Sequence, residues 1–523
     1  MTPRGMAARL SMTPRGMTAR LSMAALAGLP GGVARPRYDR AAVTPGILHL
    51  GLGAFHRAHQ AVMTEAVLDA GARDWGIVAA SLRSPETRDA LAPQDGLYVV
   101  ATREDDRHEL RVVGSLCGLH VAPEDPAALL RAMTDPRTRI VSLTVTEKGY
   151  CHDPASGELD EAHPDIRHDL AASCAPRSAP GFVVEALRLR RAAGIAPFTV
   201  LCCDNLPANG ATVRRVVARL GALRDAGLGA WIAGEVAFPS TMVDRIVPAT
   251  TPEDRARIAA ALGCEDAWPV VGEAFSQWVI EDHFPSGRPD WEIGGATFAA
   301  DVAPFELMKL RMLNGAHSAL AYLGYLAGHE TVADASNDPV FGAYLQGLWA
   351  EIAPTVPAPP GVDLHDHAAR LLARFRNRAL RHRTWQIAMD GSQKLPQRLL
   401  ETVRARLAAG QPIPHLALAL AGWLRYVGGT GEDGAPIDVR DPLAVPLRQA
   451  LDAAGEDSSR LVSAALGFET IFGRDLPQLP ALRAALGEGF AMLRVIGARE
   501  AARKVIAAAR HAKQRAKISR FLG

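Results

Sequence analysis

Short apolar runs alternate with helical patterns in the first half of the chain. The runs at 47–50, 75–82, 140–146 and 198–203 have the length and β-branched content of buried parallel strands. Helical spacing between them predicts right-handed crossovers, and therefore a doubly wound α/β sheet. From about residue 300 onward the apolar spacing is mostly helical, which predicts a mainly α-helical second domain.

The pattern predicts an extension at 1–34, a sheet domain at 35–299 and a helical domain at 300–523. The extension contains a duplication, because residues 1–11 (MTPRGMAARLS) recur with one change as residues 12–22. Two copies of such a short unit cannot bury a core, and the segment carries arginines but no acid. We expect it to be disordered and without a catalytic role.

Composition excludes several classes of protein. Lys and Arg number 58 against 56 for Asp and Glu, and this net charge of +2 excludes a global electrostatic grip on nucleic acid or anionic lipid. The six cysteines are few and scattered, which argues against a disulfide framework and a structural zinc site. No apolar stretch has the length of a membrane span. We expect a cytoplasmic protein that binds no nucleic acid, membrane or metal.

The first predicted strand leads into a turn that contains Gly51 and Gly53, and a helix follows. The first glycine permits a tight bend, and the second lets the backbone approach a pyrophosphate, although a purely structural turn needs the same residues. His56 stands where a third glycine would allow close packing of helix on strand. Glu86 is suited to accept from a ribose hydroxyl and Arg83 to hold a 2′-phosphate, so NAD is expected with NADP as the alternative.

Two polar clusters are candidates for the chemistry. Asn205 follows the strand at 198–203, where ligands bind in open α/β sheets, but an Asn that caps the next turn is the structural alternative. In the helical domain, Lys309, Asn314 and His317 share one face at 100° per residue. An inward-facing lysine among apolar neighbours has its pKa lowered toward use as a proton carrier, whereas an amphipathic surface helix would hold it in solvent.

Six motifs occur in order along the chain: GLGAFHRAHQ (51–60), TVTEKGY (144–150), CDNLPANG (203–210), FPSTMVDRIVP (238–248), QWVIEDHF (277–284) and KLRMLNGAHS (309–318). Together they resemble the polyol-specific long-chain dehydrogenases, the mannitol 2-dehydrogenase and fructuronate reductase family. The resemblance covers roughly residues 35 to 500. It implies a Rossmann-type dinucleotide-binding domain, a mainly helical substrate domain and metal-independent hydride transfer with a nicotinamide cofactor.

The resemblance also implies catalytic roles. Lys309 matches the family's acid/base, and Asn205 and Asn314 match the pair that hydrogen-bonds the reacting oxygen. His317 matches a substrate-orienting residue, and Glu306 matches a glutamate that gates proton passage to the lysine. These roles suit ketone reduction, in which two amide donors stabilise the charge that grows on oxygen and an ammonium group delivers the proton.

Residues of the sheet domain are implied as well. Gly51, Gly53 and Phe55 match the family's cofactor loop, and Asp244 lies in its site-supporting VDRI motif. We therefore assign these four residues, together with Glu86, to the cofactor site.

The segment 382–398 resembles the fructuronate reductase branch of the family. Mannitol dehydrogenases carry an Arg eight residues before a basic residue that aligns with Lys394, and Gln386 stands there in this chain. A uronate brings a carboxylate, which Lys394, Arg383 and Arg398 are suited to bind unless they are solvated surface charges.

The expected reaction is the NAD-dependent interconversion of D-fructuronate and D-mannonate. A mannitol 2-dehydrogenase, or another polyol or sugar-acid dehydrogenase, is the enzyme alternative. A non-catalytic nucleotide- or sugar-binding protein is the alternative from another class. The presence of Lys309 argues against the last hypothesis, since binding alone needs no proton carrier.

Overall fold

The computed structural model describes residues 19–104, 107–153, 156–379 and 381–522. The chain divides into two compact units, with the division between Ala300 and Asp301. Within the described ranges, no helix combines the length and apolarity needed to cross a lipid bilayer.

The first unit contains strands and short helices. Its strands are β1 (Val33–Ala34), β2 (Pro45–Leu50), β3 (Gly76–Ser81), β4 (Tyr98–Glu104), β5 (Arg107–Val113), β6 (Leu116–Val121), β7 (Ile140–Leu143), β8 (Thr199–Cys202), β9 (Thr241–Asp244), β10 (Val270–Glu273), β11 (Gln277–Glu281) and β12 (Thr297–Ala299). Its helices are α1 (Ala54–Ala58), α2 (Gln60–Asp69), α3 (Glu86–Leu91), α4 (Pro126–Thr134), α5 (Pro164–Ala171), α6 (Ala179–Ala192), α7 (Asn209–Arg224), α8 (Ala226–Glu235) and α9 (Pro252–Leu262).

Five parallel strands form the central sheet in the order β6-β3-β2-β7-β8. The chain starts at the centre with β2, moves outward to β6, and then returns to the other side of β2 with β7. Helices cover both faces, and β7 and β8 are buried along their whole length. This is the Rossmann arrangement, so the predicted α/β fold is confirmed. The strand order reverses between β2 and β7, which opens a crevice at the carboxyl ends of these two strands.

Two smaller sheets, in the orders β1-β5-β4-β10 and β12-β11-β9, complete the first unit. Each contains an antiparallel pair, β4 with β5 and β9 with β11. The apolar pattern did not predict these strands, because charged residues interrupt them. Arg103 and Glu104, for example, are the last two residues of β4, and they are half-buried and exposed, respectively.

The prediction of a disordered extension at 1–34 is wrong for residues 19–34. Leu21, Leu29 and Val33 are buried in an apolar core behind the β1-β5-β4-β10 sheet. The backbone N–H of Leu21 also donates to the carbonyl of Glu265 at 2.8 Å. Burying three large apolar side chains offsets the entropy of ordering this segment, which composition alone does not reveal. The rest of the duplication, residues 1–18, lies outside the described residues.

The second unit is helical, as predicted. Its helices are α10 (Ala303–Met308), α11 (Gly315–Leu326), α12 (Val332–Asn337), α13 (Pro339–Ile352), α14 (Leu364–Phe375), α15 (Thr384–Ala388), α16 (Gly391–Leu395), α17 (Glu401–Ala408), α18 (Pro414–Val427), α19 (Ala444–Ala454), α20 (Ser458–Leu466), α21 (Glu469–Phe472) and α22 (Pro480–Leu522). Helices α11 and α18 are buried along almost their whole length and form the centre of the unit. Helix α22 is interrupted at Gly497, where φ is 75°.

A pair of buried histidines fills the position of the missing third glycine. The His56 ring on α1 stacks on the His49 ring on β2, with centroids 3.4 Å apart and planes 12° apart. The Nδ1 and Nε2 atoms of His49 lie 2.8 Å from the hydroxyls of Ser142 and Thr144, which are also at the ends of the central strands. Burial lowers the pKa of His49 to about 3 and holds the pKa of His56 well below its usual value. Both rings are therefore neutral, and the helix packs on the strand through them.

The buried histidines predict acid sensitivity. Because their pKa values are lowered from 6.5 on folding, the unfolded chain binds more protons below that pH. The free energy of unfolding that these two rings contribute is fully present above pH 6.5. It falls as the pH drops toward 3, by up to about 1.4 kcal/mol per pH unit for each ring. Urea unfolding on both sides of pH 6.5 measures the loss.

The substitution His56→Gln removes one titrating ring, so it is expected to reduce this loss by up to about 1.4 kcal/mol per pH unit. His365→Gln is the matched control, because its side chain is 95% exposed and should not contribute. Equal losses in the two variants would contradict the prediction.

Candidate active site

The turn after β2 requires glycine for a steric reason. Gly51 has φ of 99°, and a β-carbon there would lie 2.1 Å from the carbonyl oxygen of Thr144. The backbone N–H of Gly53 donates to the Gly51 carbonyl at 2.7 Å, and α1 begins directly afterwards. The turn therefore leaves an open, side-chain-free stretch of backbone at the carboxyl edge of the sheet.

A cleft of about 1030 Å³ opens beside this turn. Its walls include Gly51, Gly53, the segment 81–84 after β3 and the segment 144–149 after β7. A cleft of this size with a glycine backbone at its floor fits a dinucleotide, whose pyrophosphate needs close backbone approach. The structure thus brings together the two glycines that the sequence singled out.

The other three predicted cofactor residues do not line this cleft. Phe55 is half-buried and stacks on His59, with centroids 4.8 Å apart. Glu86 is exposed at the start of α3, and Asp244 is buried at the end of β9. Beyond β3 the lining comes instead from Arg83, together with Ser84 and Thr87.

The turns after β7 and β8 are tied together by Asp204. Its carboxylate accepts from the backbone N–H of Val145 at 2.8 Å and of Thr146 at 3.3 Å, and from the Tyr150 hydroxyl at 2.7 Å. Burial raises the pKa of Asp204, and these three donors act against that rise. Thr146 has φ of 64°, so the carboxylate holds a backbone conformation that a threonine rarely adopts.

Asn209, not Asn205, is the structural asparagine of the CDNLPANG motif. The Asn209 carboxamide nitrogen donates to the carbonyls of Cys202 and Thr241 at 3.2 and 3.0 Å, and its oxygen accepts from the Thr241 N–H at 2.9 Å. Asn205 is exposed directly after Asp204. Asn205 therefore lies at the surface beyond the carboxyl end of β8, and both its catalytic role and its turn-capping role stay predictions.

In the second unit, the predicted catalytic residues lie on a helix that changes its winding. The sequence predicted an α-helix through Lys309 and His317, but residues Lys309–Asn314 form a π-helical turn between α10 and α11. A π turn bonds residue i to i+5 and rotates less per residue than 100°, so the simple α-helical spacing does not hold there. Such turns occur most often at functional sites. Lys309, Asn314 and Glu306 are all half-buried.

His317 is buried one turn further along. Its ring stacks on Phe375 with centroids 4.3 Å apart and meets the His382 ring edge-on at 5.5 Å. Burial lowers its pKa well below the usual value, and His382, Arg374 and Arg398 add to that effect. Nε2 is buried and has no hydrogen-bond partner among the described residues. A neutral ring with an unpaired buried nitrogen is suited to a substrate hydroxyl or carboxylate.

A second π-helical turn, Pro396–Leu400, packs directly against the first. The contact runs through Gly315, where a β-carbon would lie 2.8 Å from the carbonyl oxygen of Arg398. The Arg398 guanidinium donates to the Ser318 hydroxyl at 3.2 Å, next to His317. The Lys394 ammonium, at the end of α16, donates to the Met389 carbonyl at 2.6 Å.

Lys394, Arg398 and Arg374, which we define as the cationic cluster, lie around the neutral rings of His382 and His317. Burial, with a smaller contribution from Arg374 and Lys394, lowers the pKa of His382 to about 4. Besides burial, Arg374, Arg398 and the His382 ring lower the pKa of His317. Sequence analysis missed Arg374 and His382. The dense run of basic residues at 374–383 was the available signal.

Arg383 lies apart from this cluster. Its side chain is 48% exposed and lies 3.7 Å from the Glu330 carboxylate. It does not contribute to the pKa shift of His317 or His382.

Two groups in the described ranges bring possible metal ligands within 4.8 Å of one another: Cys151, His163 and Asp165 in the first unit, and Asp363, His365 and Asp366 in the second. Residues of both groups cap the N-terminus of a helix. His163 Nδ1 accepts from the Asp165 N–H at the start of α5, and Asp363 accepts from the Asp366 N–H at the start of α14. Metal-independent chemistry stays a prediction.

Known proteins share both units. The model of the mannitol dehydrogenase Rossmann domain matches residues 45–293, and that of the mannitol dehydrogenase C-terminal domain matches residues 301–493. The chain belongs to the mannitol dehydrogenase family. It is therefore an oxidoreductase of the class that acts on CH–OH groups, and the resemblance stated from its motifs is confirmed.

Named relatives extend over nearly the whole chain. The D-mannonate oxidoreductase of Escherichia coli is 50% identical over 90% of this chain and 97% of its own length. The mannitol 2-dehydrogenase of Cereibacter sphaeroides is 42% identical over 91% and 99%. A solved structure of Pseudomonas fluorescens mannitol 2-dehydrogenase, a ternary complex with NAD and D-mannitol, superposes with a TM-score of 0.82 at 40% identity and covers 93% of this chain and 99% of its own.

The Gly315 contact predicts a specific sensitivity. Gly315→Ala places its β-carbon against a backbone oxygen that cannot rotate away, so we expect a loss of stability of about 1–3 kcal/mol. Gly487→Ala is the matched control, since nothing lies within 4 Å of its β-carbon and it is inside α22. That variant should gain roughly 0.5–1 kcal/mol. Thermal unfolding measures the stability of both variants, and equal stability of the two would contradict the prediction.

Proposed function

We propose that the protein interconverts D-fructuronate and D-mannonate, with NAD as the hydride carrier. The observation that carries this proposal is the 50% identity with a D-mannonate oxidoreductase along 90% of the chain. The cationic cluster supplies a chemical reason, because a uronate carries a carboxylate that a polyol lacks. Gln386, where mannitol dehydrogenases carry an Arg, points to the same substrate class.

In the proposed mechanism, the glycine turn and the cleft beside it hold the dinucleotide. A bound nicotinamide supplies a hydride to the ketone carbon, or accepts one from the alcohol carbon. Asn205 and Asn314 donate hydrogen bonds to the reacting oxygen, where charge grows during reduction. Each such donor typically contributes roughly 2.7–4 kcal/mol to transition-state stabilisation.

Lys309 is the proposed acid/base. As ammonium it protonates the nascent alkoxide, and as neutral amine it removes the hydroxyl proton in the reverse direction. Glu306, three residues earlier on α10, is the proposed relay that exchanges this proton with solvent. His317 orients the substrate through its unpaired Nε2. Lys394 and Arg398, with Arg374 beside them, are the proposed partners of the substrate carboxylate, and Arg383 is kept as a candidate at the rim.

The second candidate is a mannitol 2-dehydrogenase that interconverts D-fructose and D-mannitol. It is favoured by the 42% identity with the Cereibacter sphaeroides enzyme and by the structural match to the Pseudomonas fluorescens enzyme. The same acid/base chemistry serves both substrates, so the charged cluster is what separates the two candidates.

Replacing the proton carrier tests the mechanism. Lys309→Ala is expected to lower kcat by about 10²–10⁴-fold, because general acid/base catalysis contributes that much, while NADH binding measured by fluorescence is kept. Lys504→Ala, at an exposed lysine of α22, is the control and should be fully active. Unchanged turnover in the Lys309 variant would remove this residue from the mechanism.

Comparing substrates tests the branch. At equal concentration, D-fructuronate should be reduced faster than D-fructose. Lys394→Met and Arg398→Gln should each raise KM for fructuronate by roughly 10–100-fold, because a hydrogen bond to a charged group contributes about 1.5–3 kcal/mol. KM for fructose should change by less than about twofold. Arg474→Gln, at a side chain that is 87% exposed, is the control. A faster rate on fructose would favour the second candidate.

A further inference from the structure

The end of β3 is the place where a Rossmann fold distinguishes its two nicotinamide cofactors. β3 pairs with β2, the strand that carries the glycine turn. An acidic side chain at this position accepts hydrogen bonds from the ribose 2′-hydroxyl of NAD and repels the 2′-phosphate of NADP, which an arginine instead accommodates. The side chains after Ser81 therefore determine which cofactor enters the cleft.

No acidic side chain follows β3 into the cleft. The segment 81–84 is Ser-Leu-Arg-Ser, and all four residues line the cleft together with Thr87. Glu86 is the first acid after β3, and it is exposed and absent from the lining. The residue to which the sequence assigned ribose recognition therefore does not line the cleft.

Arg83 is available to bind an anion. Among the described residues, no carboxylate lies within ion-pair distance of its guanidinium. The next arginine, Arg88, is by contrast already neutralised by Glu124 and Asp89 at 2.6 and 2.7 Å. Arg83 is close enough to Cys151, on the opposite segment of the lining, to act against the rise of its thiol pKa to about 12, which burial and three aspartates cause. The guanidinium field therefore acts inside the cleft.

The side chains that line the cleft carry a net positive charge, like Arg83 itself. Its lining contains Arg83, Lys148 and Arg177 against one acid, Asp165. A pyrophosphate alone carries two negative charges, and a 2′-phosphate adds about 1.5–2 more at neutral pH. The Arg83 guanidinium is the kind of donor that such a phosphate prefers, and Ser84 and Thr87, which also line the cleft, carry hydroxyl donors.

We propose that this cleft accepts NADP(H) as well as NAD(H), with Arg83 as the residue that binds the 2′-phosphate. The inference rests on the proposed function only in requiring a nicotinamide dinucleotide in this cleft. It adds a cofactor specificity that the NAD-containing relative does not indicate.

The test measures binding without any sugar substrate. Calorimetry compares adenosine 2′,5′-bisphosphate with 5′-AMP, two ligands that differ only in the 2′-phosphate. The parent chain should bind the bisphosphate at least as tightly as 5′-AMP. Arg83→Ala should weaken bisphosphate binding by about tenfold or more, as expected for a lost charge-assisted contact, and leave 5′-AMP within about twofold. Arg83→Lys should keep part of the affinity.

Two further variants sharpen the comparison. Ser84→Asp introduces a carboxylate after β3, so it should weaken binding of the bisphosphate and leave binding of 5′-AMP unchanged. Arg137→Ala is the matched control, because its side chain is 60% exposed and paired with Asp135 outside the cleft. NADPH and NADH fluorescence titrations should follow the same order.

The outcomes separate this inference from the proposed function. A parent chain that binds the bisphosphate more than tenfold more weakly than 5′-AMP overturns it, and so does an Arg83→Ala variant with an unchanged ratio. If the binding order holds while neither fructuronate nor fructose is reduced, the cofactor inference stands and the proposed reaction falls.

Discussion

The candidate catalytic face of the helical unit depends on one close approach of two backbones. At Gly315 the helix that carries Lys309 and His317 meets the carbonyl of Arg398, and a single methyl group would push them apart. Gly315 directly follows the first π-helical turn, and Arg398 lies within the second. Because interiors are close-packed, the positions of the candidate base and of the cationic cluster are fixed by the same contact.

In the sheet unit, hydrogen bonds rather than a close backbone contact fix the positions of the turns around Asn205. Asp204 holds the two turns at the carboxyl ends of β7 and β8, and Asn209 ties the second turn to β9. These buried polar contacts occupy the residues on either side of Asn205, whose carboxamide remains at the surface. Of the two asparagines in this motif, Asn209 therefore has a structural role, and Asn205 stays a candidate for the chemistry.

Much of the fold followed from the sequence, because the parallel strands and the long helices bury continuous apolar runs. The hairpin strands β4 and β5 and the π turn at Lys309 did not follow from it. In the first case charges interrupt the apolar pattern, and in the second the widened turn depends on tertiary packing against Pro396–Leu400. For the site, the glycine turn was predictable from its local geometry. Arg374 and His382 were not, since they join Lys394 only through the way α14 and α15 pack around His317.

The burial of residues at the start of the described chain distinguishes the two copies of the eleven-residue unit. Leu21 belongs to the second copy of the eleven-residue unit and has no exposed surface, while Leu10 is its counterpart in the first copy. Only the copy next to Met23 stands at the spacing from Leu29 that this core requires. Substitution of Leu21 by a polar residue should therefore be disfavoured, and removal of residues 12–22 would place the same sequence, ARLS, next to Met23.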